Sequence, residues 1–69
     1  MTIATHEQAS PRIERLPAVL ERTALSRTSL YSLLERQRFP APIKLSDRAI
    51  GFLTHEVDEW IRERAAARA

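Results

Sequence analysis

Apolar positions along this chain change their spacing several times, and each change marks an element. Leu16, Val19 and Leu20 stand at i, i+3 and i+4, one stripe of a helix. Pro17 suits a first helical position, where its missing N–H costs nothing. A short helix is therefore predicted over 17–22. Thr23-Ala24-Leu25 breaks the stripe, and Ser26 is a good N-cap because its hydroxyl can accept from a free N–H of the next turn. Leu30, Leu33, Leu34 and Gln37 resume helical spacing, which predicts a second helix over 27–36. Arg38-Phe39-Pro40-Ala41-Pro42 cannot continue it, since each proline drives its predecessor toward extended geometry. Ile43-Lys44-Leu45 alternates in, out, in, as a half-buried strand does. Ser46-Asp47-Arg48 is a polar turn, and Ala49 to Leu53 returns as a second strand, with Gly51 permitting close approach. Thr54 is the expected N-cap of a last helix. There Glu56, Asp58 and Glu59 sit where the dipole favours negative charge, and Val57, Trp60, Ile61 and Arg64 share a face.

Two short helices joined by a tight turn form the helix-turn-helix pattern. Ala24 is small where the chain turns, Leu25 plugs the turn, and Leu30 and Leu33 anchor the second helix on the first. The hairpin over 43–53 follows directly, as a wing. The expected fold class is α+β, mostly α: a winged helix-turn-helix closed by a C-terminal helix. Residues 1–12 lack any period and read as a flexible N-terminal tail, 13–64 as the domain, and the alanine-rich 65–69 as a fraying extension. Trp60 reads as a core residue rather than an interface anchor, because it shares its spacing with Val57 and Ile61.

Composition narrows the function. The chain has 69 residues, and ten of its apolar residues are alanine. Of the rest, sixteen from Leu16 to Ile61 are the larger core candidates, enough for one modest core. They cannot also wall a deep substrate pocket of ~300 Å³ or more. Without cysteine there is no disulfide and no thiolate zinc site. His6 and His55 have no ligand spacing, and Ser26, Ser29 and Ser32 have no nearby base. No catalytic residue, metal site or cofactor is expected. No apolar run approaches a membrane span, and the first ten residues lack a signal-peptide core. The expected location is cytoplasmic.

The net charge of +2 hides an asymmetry. Residues 12–48 carry eight basic side chains against four acidic ones, whereas 49–64 carry two against four. The basic part is the candidate for a polyanionic partner. A solvated surface of uneven charge is the plainer alternative. On the second helix, Thr28, Tyr31, Ser32 and Glu35 lie opposite the leucines, with Arg27 at the rim of the first turn. Arg27, Thr28, Tyr31 and Ser32 can donate to base edges or phosphates, and a major groove ~12 Å wide admits one helix. Lys44 and Arg48 on the wing would reach backbone or minor groove, and Arg36 and Arg38 would clamp the backbone between the two elements. Replacing Arg27 or Thr28 by alanine is expected to relax specificity, and replacing Arg48 to weaken all sequences alike.

Several segments resemble the AlpA family of small phage and prophage regulators, kin to excisionases and to MerR-type DNA-binding domains. They are Leu16-Pro17-Ala18-Val19, Thr23-Ala24-Leu25-Ser26-Arg27-Thr28-Ser29-Leu30-Tyr31, Arg38-Phe39-Pro40-Ala41-Pro42-Ile43-Lys44-Leu45-Ser46, Arg48-Ala49-Ile50-Gly51-Phe52 and Glu56-Val57-Asp58-Glu59-Trp60-Ile61. The resemblance covers about 14–64 and implies a recognition helix in the major groove, with Arg48 on backbone or minor groove. It departs from the family pattern at Ala24 and Gln37, where glycine is common, and at Phe52, where tryptophan is favoured. Gln37 calls for a left-handed backbone or a different helix end. The implied function is a sequence-specific duplex DNA-binding regulator of a mobile element, or alternatively an excisionase that bends attachment-site DNA. The expected partners are double-stranded DNA, neighbouring copies on repeated sites and an integrase. A rival reading of another class is a small protein-interaction module that inhibits or assists a regulator or integrase.

Overall fold

The structure, a computed structural model, describes residues 11–68. Strand β1 (Ile13–Arg15) leads into helix α1 (Leu16–Thr23), and helix α2 (Arg27–Glu35) follows. Strands β2 (Ile43–Lys44) and β3 (Ile50–Leu53) make the hairpin, and helix α3 (Thr54–Ala67) closes the domain. The chain is the α+β winged helix-turn-helix expected, with one added strand. β3 is central in the order β1-β3-β2, antiparallel to both neighbours.

β1 is absent from the sequence reading because three residues give too little alternation to register, and Ile13 remains half exposed. Its pairing sets Ile13 opposite Leu53 and Arg15 opposite Gly51. A Cβ on Gly51 would stand 2.5 Å from Ile13 Cγ2 and 3.2 Å from the Glu14 carbonyl, so glycine lets β1 close on β3. Leu45 departs from the predicted alternation. The β2 ladder ends at Lys44, and Leu45 is 41% exposed at the start of the wing turn. Thr54 is also not a cap. It is the first residue of α3, Leu53 holds the cap position without a side-chain bond, and the Thr54 N–H donates to the Arg12 carbonyl at 2.8 Å. Pairing with the incoming chain satisfies that N–H, one of the four donors a helix leaves open at its start. Residues 1–10 and Ala69, parts of the two expected tails, lie outside the described residues.

Ser26 does cap α2: its Oγ accepts from the Ser29 N–H at 3.1 Å. At the far end the Gln37 N–H donates to the Leu34 carbonyl (3.0 Å) and the Arg38 N–H to the Leu33 carbonyl (2.8 Å). This is a Schellman closure, with Gln37 left-handed at φ 59°. Ala24 closes α1 in the same region, at φ 60°. Both are positions where the resemblance noted above implies glycine. The left-handed region costs an L-residue about 1–2 kcal/mol, and a glycine returns about 0.4–1 kcal/mol of that through the unfolded chain. Ala24→Gly with Gln37→Gly should therefore stabilise the domain by about 1 kcal/mol, raising Tm by about 4–8 °C in a domain this small. A melting curve that fails to move upward would show the two turns to be unstrained.

Every layer gives something to the core. Leu16 and Val19 come from α1, Leu30 from α2, Phe39 from the connecting loop, Phe52 from β3 and Val57 from α3. Phe39 meets Phe52 edge-on, with centroids 5.6 Å apart, and lies 4.9 Å from the Trp60 ring. Trp60 is only half-buried, with Arg64 stacked over its outer face. Its indole N–H donates to the Arg38 carbonyl at 2.9 Å, so it fastens the proline-rich loop to α3. A second fastening is Arg22, which pairs with Glu14 on β1 and with Asp58 on α3 (2.7 Å). These carboxylates, Glu14 foremost, raise the Arg22 pKa further above an already high value.

Candidate nucleic-acid interface

The anchor on α2 determines what the helix presents outward. Leu30 is fully buried, while Leu33 and Leu34 pack partly on the core. That rotation turns Arg27, Thr28, Tyr31, Ser32 and Glu35 along one open groove of about 410 Å³ on the far side. Tyr31 is 43% exposed, an uncommon outlay of aromatic surface for a domain with so small a core. The four candidates drawn from the helical wheel thus share one face. Glu35 shares it too, a carboxylate able to accept from cytosine N4 but adverse to phosphate.

The wing turn is ordered by its own backbone. The Leu45 and Ser46 N–H groups both donate to the Ala49 carbonyl, at 2.8 and 3.2 Å, and the Arg48 N–H donates to Ser46 Oγ at 3.3 Å. Arg48 thereby sits at the wing turn on the side of α2. Arg48, Arg27 and Tyr31 line a second groove of about 260 Å³, between wing and helix, and Arg15 joins them there. Arg15 went unnoticed in the sequence because it belongs to the short strand that gave no signal. Lys44 is exposed on β2 but lines neither groove, and Arg36 is exposed beyond the end of α2. Arg38 lies elsewhere. It borders a larger groove, about 760 Å³, walled by Phe39, Pro40 and Trp60 and rimmed by Glu56, Glu59 and Glu63. That groove shares no residue with the other two, and its carboxylates would repel a phosphate backbone.

Among the described residues the only ion pairs are those of Arg22, so the cations of the outer face carry no carboxylate partner. No helix among them is long and apolar enough to cross a membrane, and no group of metal-ligating side chains gathers.

A helix-turn-helix, a two-stranded wing and a closing helix, with the outer helix face open beside a cationic wing, define a winged helix-turn-helix domain. The chain belongs to the AlpA family: the family model described as Prophage CP4-57 regulatory protein (AlpA) matches residues 12–65. It is 31% identical over 65 residues to the DNA-binding transcriptional activator AlpA of Escherichia coli (strain K12), covering 86% of this chain and 93% of that one. It is 33% identical over 57 residues to the uncharacterized protein ORF88 of Enterobacteria phage P4, covering 83% of this chain and 65% of that one. No solved structure gives a significant match.

Proposed function

We propose that this chain is a sequence-specific double-stranded DNA-binding protein of a mobile element and that it regulates transcription. The observation that carries this reading is the run of Arg27, Thr28, Tyr31 and Ser32 on one open face, continuous with the wing through Arg48. In this reading α2 enters the major groove and its polar side chains meet base edges. Lys44 and Arg48 hold backbone phosphates and set the register. The name of the Escherichia coli relative, a DNA-binding transcriptional activator, supports the same class.

Selection of bound sequences from a random duplex pool tests the reading, and enrichment of a short motif is expected. One winged helix spans few base pairs, so neighbouring copies on repeated sites should bind cooperatively. Affinity should fall with salt at a slope of roughly −4 to −5 in log–log terms, as about five phosphate contacts require. A complex indifferent to salt would remove the electrostatic part. A promoter reporter beside an excision assay with the cognate integrase separates regulator from excisionase.

The acid-rimmed groove favours a second reading as well, in which a protein partner such as an integrase docks away from DNA. Pull-down of a protein with no enriched DNA motif would favour that module over the regulator.

A further inference from the structure

The groove between wing and helix concentrates charge in an unusual way. Arg15, Arg27 and Arg48 come from β1, α2 and the wing turn, and they line it together with Tyr31, Leu16, Pro17 and Ile50. None of the three has a carboxylate within 4.0 Å among the described residues. Glu14, adjacent to Arg15 in sequence, is instead held by Arg22. Gathering three like charges raises the energy of the free fold. Only an entering anion turns that arrangement to advantage.

Resting on the DNA-binding reading above, we propose that this groove is a clamp for a single backbone phosphate of duplex DNA, with Arg15 as its third guanidinium. Phosphates project from a duplex, whereas base edges lie recessed on the groove floor. A recess between helix and wing receives the projecting group. The guanidinium fork matches phosphate oxygens in pairs, and Tyr31 lines the same groove. The clamp moves Arg27 from base readout to backbone positioning and leaves Thr28 and Ser32 to read bases. Three elements then converge on one phosphate, so the clamp fixes the angle between wing and recognition helix on the DNA.

The test uses the whole chain with a selected duplex, a random duplex and a series of selected duplexes, each with one neutral methylphosphonate. Arg15→Gln is expected to lose about tenfold affinity at 0.1 M salt on selected and random duplexes alike, and to flatten the salt slope by about one. One methylphosphonate position should weaken the wild type about tenfold and leave Arg15→Gln no weaker than on unmodified DNA, as coupled partners do. Arg27→Gln should point to that same position. Thr28→Ala should keep the slope and change base preference instead. Unchanged melting of each variant confirms that the fold is intact. A wild-type slope for Arg15→Gln, or methylphosphonate losses that add to it at every position, overturns the clamp while leaving DNA binding in place. A wild type that binds neither duplex overturns both.

Discussion

Phe52→Ala is expected to leave the domain largely unfolded at 25 °C, as read by loss of helical circular dichroism and of a cooperative melt. Phe52 is fully buried on the central strand and takes the edge of Phe39 at 5.6 Å. Removing a buried phenylalanine costs about 3–5 kcal/mol, because transfer energy is lost and a cavity remains. A single core this small supplies only about 3–5 kcal/mol of net stability, so the two quantities are equal within their spread. The effect reaches α2 through Leu30, which is buried in the same cluster. Leu45→Ala is the matched control. Leu45 is 41% exposed at the wing turn, and its loss should cost under about 1 kcal/mol. If Phe52→Ala melted within a few degrees of the wild type, the core would not be centred on β3.

The same cluster explains what could be seen in the sequence. Leu16, Val19, Leu30, Phe52 and Val57 were legible because each repeats at the period of its element, and period survives without knowledge of tertiary neighbours. Phe39 lies in a proline-flanked loop with no period; as a large apolar side chain it counts among the core candidates, but the sequence does not show that Trp60 and Phe52 enclose it. β1 failed for a related reason: its three residues become a strand only by pairing with β3. Thr54 differs from the expected cap because the helix starts one residue earlier than its hydroxyl suggests, with Thr54 already helical and its N–H held by the Arg12 carbonyl. Gln37 went the other way. The resemblance raised a left-handed backbone there, and the Schellman closure adopts one despite the side chain.

The candidate site divides along similar lines. Arg27, Thr28, Tyr31 and Ser32 follow from the helical wheel once Leu30 is taken as the anchor, and they share a groove. Charge counting could not tell Arg22 from Arg15. Both lie in the basic stretch, yet one is taken up between two carboxylates and the other opens onto the wing groove. Nor could it separate Arg38, which the loop carries to the acidic groove. A guanidinium's role depends on which carboxylates reach it, and that depends on contacts between elements.

Those contacts allow the largest functional effect to be put in numbers. The combined variant Arg27→Ala, Lys44→Ala, Arg48→Ala should bind its selected duplex about a hundredfold more weakly at 0.1 M salt. All three cations are exposed and have no ion-pair partner among the described residues. Each phosphate contact contributes about 0.9 to the log–log salt slope through counterion release. At 0.1 M that is close to one decade of affinity per contact, measured against 1 M salt. Arg27 and Arg48 share one clamped phosphate and Lys44 holds another, so two contacts give about two decades and a slope flatter by about 1.8. The variant and wild-type affinities should therefore converge as salt rises toward 1 M, which a titration between 0.05 and 1 M salt measures directly. Stability should hold to within about 0.5 kcal/mol, because surface side chains without partners contribute little to the fold. The contrast with Phe52→Ala is the point of the pair: one variant loses the fold and DNA binding with it, the other keeps its melt and loses binding alone. Thr28→Ala completes the comparison, since loss of a base contact shifts preference at one position by roughly 1–3 kcal/mol while the slope stays unchanged. If the triple variant bound as tightly as the wild type at 0.1 M, the DNA-facing surface would have to be sought away from α2 and the wing.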